Sequence, residues 1–293
     1  MKYKIVFYGT SPFAVPSLDA VAADGRFEIL GVVTQPDRPA GRKGELQKPA
    51  VKIAAENLGL AVVQPERVKT DDAYETLKAL GGEAAVVASY GQILPQRVLD
   101  LYSKGMVNVH ASLLPEYRGA SPINAAIRDG RDKTGVTIML MDAQMDHGAT
   151  LAMAEEPIKP DDTTASLTPR LAELGARILP ETLIGYFEGS IKPVQQTHDQ
   201  ATFVKILNRE DGKLDGLPTA TDMERLVRAM DPWPGTFIEH KGKRLKVLKA
   251  KTGRMDGYPV IKAADGSELT LLTIQPEGKK PMDGADFVRG HGF

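Results

Sequence analysis

Cysteine is absent from this 293-residue chain. That excludes a disulfide framework, a thiolate nucleophile and any Cys-ligated zinc or iron–sulfur cluster. Long apolar runs are missing too: no stretch approaches the ~18–20 uninterrupted apolar residues of a membrane span, so no membrane segment is expected. The opening Met1-Lys2-Tyr3-Lys4-Ile5-Val6-Phe7 lacks the apolar segment and small-residue cleavage site of a secretory leader and runs straight into a strand pattern. Neither sign of charge is in excess. Lys and Arg number 37 against 38 Asp and Glu, a net −1, so no global basic field announces nucleic acid and any such contact needs a local patch. What is present is ordinary for a globular protein, 42% apolar and 26% charged residues. The length is about twice the ~100–150 residues that one core usually organises, so two domains are expected. A cytoplasmic enzyme is the plain expectation.

The first ~150 residues alternate short β-branched runs with helical stretches. Strands are expected at Lys4–Tyr8, Ile29–Val33, Ala61–Val63, Ala84–Ala88, Met106–His110 and Gly135–Leu140, with helices near 12–23, 50–59, 71–80 and 123–129. Such alternation implies right-handed crossovers and an α/β fold with a doubly wound, mostly parallel sheet. Ligands of such sheets gather at the carboxyl ends of the strands. Thr164 to about Gly189 has helical spacing, and Pro180 within it predicts a kink or break. From about Gln195 to Ala220 the chain turns polar and reads as linker plus a short helix. After Trp233-Pro234-Gly235, alternating runs at Thr236–Glu239, Arg244–Leu248, Val260–Ala263 and Leu269–Ile274 predict a small OB-like antiparallel β-barrel. The expected division is 1–189 catalytic, 190–206 linker and 207–293 the barrel.

Three polar residues stand where apolar ones are expected. Asn108 and His110 are two apart at a strand end, so their side chains share one face of the sheet. Asp146 follows the next strand in the turn Met145-Asp146-His147-Gly148. An amide, an imidazole and a carboxylate at one rim suit acyl transfer between amines. Asn108 and His110 donate to the oxyanion formed as an amine attacks a carbonyl carbon; Asp146 orients the imidazole and relays protons. An Asn-x-His pair at a strand end also serves as a plain structural hydrogen-bonded pair, so context decides. His147, His198, His240 and His291 show no metal-ligand spacing, so no metal is expected. Ser112 lacks the G-x-S-x-G elbow of serine hydrolases.

The context is the run from Asn108-Val109-His110-Ala111-Ser112-Leu113-Leu114-Pro115 to Arg118-Gly119 and the later block Gly135-Val136-Thr137-Ile138 to Asp146-His147-Gly148. Here the chain resembles the folate-dependent formyltransferases. Further blocks extend the resemblance over nearly the whole chain in order: Gly9–Ala14, Thr34–Arg42, Ser89–Pro95, Arg209–Asp215, Asp231–Pro234 and Gln275–Lys280. The resemblance implies a formyltransferase-type Rossmann-like domain with a C-terminal domain that binds tRNA. It implies transfer of the formyl group of 10-formyltetrahydrofolate to the α-amine of methionine on initiator tRNA, with Asn108, His110 and Asp146 as the catalytic trio. Ser112, Leu113, Leu114 and Pro115 then line the folate site, with Tyr90, Gln92, Ile93 and Leu94 as walls for the pterin and Asp142 at the pocket floor. Core packing is the rival reading for Ile93 and Leu94, and a structural turn for Asp142.

Two basic segments fit an RNA partner. The βα connection Asp37–Lys48 exceeds the usual ~2–6 residues and holds four cations, Arg38, Arg42, Lys43 and Lys48, against two acids. The resembling family uses this loop on the acceptor end of tRNA, which suits the guanidinium of Arg42. Lys241 to Arg254 holds seven basic residues in fourteen and no acid. Strand alternation there puts Arg244, Lys246 and Leu248 on one face and Leu245 and Val247 on the other, so that with Lys243 at its start the strand presents a basic stripe outward. Aromatics are sparse in this segment, so electrostatic, sequence-poor contacts are expected. A solvated surface is the rival reading of both segments.

The nearest alternative is an N-formyltransferase acting on a nucleotide-linked amino sugar, which shares the trio; the basic segments favour RNA. Glycinamide ribonucleotide formyltransferase also shares it but is shorter and lacks a second domain. A nicotinamide-dependent oxidoreductase is disfavoured because Gly9-Thr10-Ser11-Pro12-Phe13-Ala14 lacks G-x-G-x-x-G spacing. A non-catalytic RNA-binding module leaves the trio without a purpose. A monomer is expected, since nothing in the sequence suggests an interface.

Overall fold

The computed structural model describes residues 2–40 and 44–293. Two compact units organise the chain: one is Met1–Arg118, Thr134–Glu156 and Thr168–Phe203, the other Gly119–Lys133, Pro157–Leu167 and Val204–Phe293.

The first unit is built on a seven-stranded sheet. Its strands are β1 (Tyr3–Gly9), β2 (Phe27–Val33), β3 (Val62–Val63), β4 (Ala84–Ala88), β5 (Met106–His110), β6 (Lys133–Leu140) and β7 (Thr150–Pro157). Their order is β7-β6-β5-β4-β1-β2-β3. The five strands β1 to β5 pair in parallel, and β6 runs antiparallel to β5. The α/β reading therefore holds, and the apolar run Ala84–Ala88 is buried throughout, as a strand covered on both faces requires. Strand order reverses at β1, with β2 on one side and β4 on the other, and ligands of such sheets bind beyond the strand ends at this reversal, here beyond Gly9 and Ala88. Gly9 fits this edge because a Cβ there would sit 2.9 Å from that of Ala14 and 3.1 Å from the Ala88 carbonyl.

Among the elements that differ from the sequence reading, two are the edge strand of this sheet and the long helix after it. β7 was not expected, since Thr150-Leu-Ala-Met-Ala-Glu-Glu-Pro carries few strong strand formers; it forms at the sheet edge, beside β6. The helix Thr164–Phe187 runs unbroken past both Pro169 and Pro180. A proline removes one backbone donor, and here buried Leu171, Leu174, Leu179 and Leu183 anchor the helix on either side of that loss. Elsewhere helix ends follow their caps: Asp71–Leu80 starts where the Thr70 hydroxyl accepts from the Ala73 amide.

In the second unit, β8 (Thr236–His240), β9 (Lys243–Thr252), β10 (Val260–Lys262), β11 (Glu268–Pro276) and β12 (Met282–Asp283) form a five-stranded sheet ordered β8-β9-β11-β10, with β12 also on β11. All its pairings are antiparallel. Leu245, Val247, Leu269, Leu271 and Ile274 point into a core closed by Met223, Leu226 and Val227 of the helix Ala220–Ala229 and by Phe287. That helix begins in a capping box, Thr219 with Asp222. Helix Pro122–Arg128 belongs to the same unit, where Asn124 donates to the Ala229 carbonyl at 2.6 Å. No helix among the described residues is long and apolar enough to cross a membrane.

Candidate active site

The carboxyl end of β5 is pinned to β6 before any catalytic question arises. Asn108 lies opposite Met139 and His110 opposite Thr137. Beyond His110 the chain leaves the sheet, and the buried Thr137 hydroxyl holds the exit: it donates to the Ser112 carbonyl at 2.7 Å and accepts from the Leu114 amide at 3.1 Å. Ser112 donates its own hydroxyl to the Glu116 carbonyl at 2.6 Å. The turn ends at Tyr117, a non-glycine residue at φ +58°. Its amide donates to Thr202 Oγ1 at 2.8 Å, and its carbonyl meets His110 Nε2 at 3.0 Å.

This last interaction fixes the imidazole. A carbonyl oxygen only accepts, so His110 Nε2 carries a proton. The other ring nitrogen, Nδ1, faces Asp146 Oδ1 at 3.7 Å. Asn108 Nδ2 donates toward the same oxygen at 3.5 Å. His110 and Asn108 thus converge on one carboxylate atom of Asp146, with the His110 side chain 7% and that of Asp146 16% exposed. A neutral ring presents a lone pair to the carboxylate; a second proton at Nδ1 turns it into a charge-assisted donor. The rim therefore offers an amide donor, a convertible imidazole nitrogen and a proton acceptor within reach of one another. Asp146 is itself at φ +48°.

Other residues singled out by sequence take varied positions. Ser112 and Leu114 are buried in the pinned turn. Tyr90 follows β4, whose carboxyl end lies on the same sheet edge as that of its parallel neighbour β5. Its carbonyl accepts from Thr10 Oγ1 at 2.7 Å and Gln35 Nε2 at 3.2 Å. Its hydroxyl is buried with no hydrogen-bond partner among the described residues, and burial pushes the phenol pKa upward. The Gln92 side chain is tied to the Val68 amide at 2.8 Å and the Pro65 carbonyl at 3.1 Å. Leu94 packs in a core with Tyr90, Val98 and Tyr102, whereas Ile93 is 85% exposed. Asp142 accepts from His147 Nδ1 at 2.6 Å and the Gln144 amide at 2.9 Å.

Arg38 stands on a short ribbon, Arg38–Ala40 paired with Glu45–Gln47, and bridges to Glu66; Lys48 bridges to Glu56. Arg42 and Lys43 lie outside the described residues. At the base of this loop, a hydrogen bond from Gln64 and then one from Lys52 hold the Asp37 carboxyl below the usual range. On β9, Lys243, Arg244 and Lys246 are exposed while Leu245 and Val247 are buried. Arg244 is paired with Glu210 and lies over the Phe237 ring, 4.2 Å from its centre. Among the described residues no group of three or more His, Asp or Glu is arranged to hold a metal ion.

Sequence reasoning did not assign Thr137, Tyr117 or Thr202. Thr137 had a signal, a polar residue within an apolar strand; the Tyr117 carbonyl had none, because its direction depends on a backbone angle.

The formyl transferase family model matches residues 1–183, and the model of the formyl transferase C-terminal domain matches 206–292. A methionyl-tRNA formyltransferase of Roseiflexus sp. (strain RS-1) is 45% identical over 99% of this chain and 93% of its own. One of Myxococcus xanthus (strain DK1622) is 43% identical over 98% and 95% respectively. The crystal structure of WlaRD, a sugar 3N-formyl transferase determined in the presence of dTDP and 5-N-formyl-THF, shares the fold with TM-score 0.69. It is 19% identical, over 96% of this chain and 100% of its own. The chain belongs to the formyl transferase family, among the methionyl-tRNA formyltransferases.

Proposed function

We propose that the protein transfers the formyl group of 10-formyltetrahydrofolate to the α-amino group of methionine on initiator tRNA, with Asn108, His110 and Asp146 as the catalytic set. The observation that carries this reading is the convergence of Asn108 Nδ2 and His110 Nδ1 on Asp146 Oδ1. The amine nitrogen bonds to the formyl carbon, and the carbonyl electron pair moves onto oxygen. Asn108 Nδ2–H and His110 Nδ1–H stabilise that oxyanion. The Tyr117 carbonyl keeps His110 Nε2 occupied as a donor, so Nδ1 is the nitrogen that acts. Asp146 takes the proton released by the amine. When the oxyanion collapses, the bond from carbon to folate nitrogen breaks, and Asp146 returns its proton to that nitrogen, which leaves the carboxylate as it began. No covalent enzyme intermediate is required.

In this reading Ser112 to Pro115 and the segment Tyr90 to Leu94, with Asp142, surround the folate. Its ring system is apolar enough to use Tyr90 and the exposed Ile93 as walls. The segment Asp37–Lys48, which holds Arg38, Arg42, Lys43 and Lys48, and the strand carrying Lys243, Arg244 and Lys246 engage the tRNA phosphates and acceptor end. All three catalytic side chains come from one chain, so a monomer suffices. The deciding experiment supplies 10-formyltetrahydrofolate with either methionyl-tRNA or a nucleotide-linked amino sugar. Formyl-methionyl-tRNA is expected; formylation of the sugar alone would replace this reading.

A further inference from the structure

Asp146 cannot hold its carboxylate on His110 and Asn108 by its own backbone preference. Its φ of +48° lies in the left-handed region that favours glycine. Two bonds to the backbone of this loop come from the stretch that the sequence reads as linker. Gln196, only 7% exposed, donates through Nε2 to the Asp146 carbonyl at 2.9 Å and to the Gly148 carbonyl at 2.8 Å.

The two carbonyls differ in how they are anchored. Gly148 is welded to β6, since a Cβ there would fall 2.0 Å from the Leu140 carbonyl oxygen, and the Leu140 amide donates to the Ala149 carbonyl immediately beyond it. Asp146 sits two residues away at the loop tip. Gln196 therefore ties the tip to the fixed end. Its own orientation is fixed by Arg118, which is 3% exposed and donates from Nε at 3.1 Å and Nη2 at 2.7 Å to Gln196 Oε1. A guanidinium only donates, so the amide oxygen must face Arg118 and the amide nitrogen must face the two carbonyls. Arg118 Nη2 also donates to His198 Nδ1 at 2.9 Å.

We infer that Gln196, oriented by Arg118, is a positioning residue that holds Asp146 in its reactive conformation. The inference rests on the proposed role of Asp146. Losing the Gln196 donors frees the φ angle of Asp146 to relax and swings the carboxylate off His110 Nδ1 without touching the folate walls. Misplacement of a reacting group by about 1 Å costs on the order of 100-fold in rate.

The test uses Gln196→Met and the isosteric Gln196→Glu, which keeps a partner for Arg118 but removes both donors. Each is measured for kcat, for KM toward 10-formyltetrahydrofolate and for thermal unfolding, alone and combined with Asp146→Ala. Expected is a kcat loss of about 10- to 100-fold with KM changed less than about 3-fold. In the Asp146→Ala background the same change should cost less than about 2-fold, because residues acting as one unit are not additive. An undiminished loss in that background overturns the inference, as does a KM change as large as the kcat change. If both variants fail to fold, Gln196 is structural and the inference falls. If Asp146→Ala alone turns over normally, the reading of Asp146 itself fails, a result distinct from additivity.

Discussion

The rim of β5 and the exposed face of β9 are both polar, yet they are built in opposite ways. At the rim, His110 has its ring fixed by a backbone carbonyl, and the turn behind it is held by Thr137 and Thr202. On β9, Lys243 and Lys246 project into solvent while Leu245 and Val247 between and beside them are buried. The first arrangement gives a fixed geometry to a few atoms. The second spreads charge along a line, which suits a polyanion whose phosphates need no single register. Chemistry that depends on angstroms is built from buried, multiply bonded groups, and affinity that depends on charge is built from exposed ones.

The largest effects should come from the rim. His110→Ala and Asp146→Ala are each expected to lower kcat by about 10²- to 10⁴-fold while leaving folate affinity within a few-fold. Steady-state kinetics beside equilibrium folate binding separates the two quantities. Parallel losses in turnover and folate affinity would make these residues binding groups and erase the contrast with β9.

That contrast was partly legible in the sequence, and the reason is spacing. Asn108 and His110 share a face because strand side chains alternate, and the same rule placed Leu245 and Val247 inward. The run Ala84–Ala88 declared a buried strand by composition alone. What could not be read is whatever depends on a backbone angle or on long-range closure. The positive φ of Tyr117 and of Asp146 aims a carbonyl and a carboxylate in directions no residue pattern encodes. Gln196 reaches Asp146 across fifty positions, from a polar stretch with no periodicity. Pro180 misled because a local rule about one lost donor ignores the buried leucines flanking it.

Intermediate effects should come from β9. Replacing Lys243 and Lys246 by Ala is expected to weaken tRNA binding and to reduce the slope of log K against log salt by about 0.7–0.9 for each phosphate no longer neutralised. Arg244→Ala should do less, because its guanidinium is already shared with Glu210 and Phe237. Binding titrations across salt concentrations measure both. An unchanged slope in the double lysine variant would remove this strand from the RNA path. The loop cations follow at smaller size: Lys48→Ala breaks an exposed bridge to Glu56, which solvent screens, so stability should hardly change and a modest rise in KM for tRNA should be its main signature.

The smallest expected effect tests whether the rim's supports extend as far as His198. Its ring stacks on that of His147, with centres 4.0 Å apart. Burial, then electrostatic repulsion from His147 and Arg118, lowers its pKa; Asp142 and Asp199 oppose this. Nδ1 accepts from Arg118, so it cannot be protonated while that bond persists. The unfolded chain binds a proton at His198 near the ordinary value of about 6.5, whereas the folded chain does so only at lower pH. The folded protein therefore keeps this contribution above about pH 6.5 and loses it as pH falls from there through the lower folded value. His198→Ala should flatten that part of the acid limb of the stability curve, and only slightly, because the ring is open to solvent. Unfolding midpoints between pH 5 and 8 for the two proteins measure the difference. Parallel acid limbs would show that the supporting network ends at Arg118, leaving Gln196 and Arg118 as the outermost part of the rim.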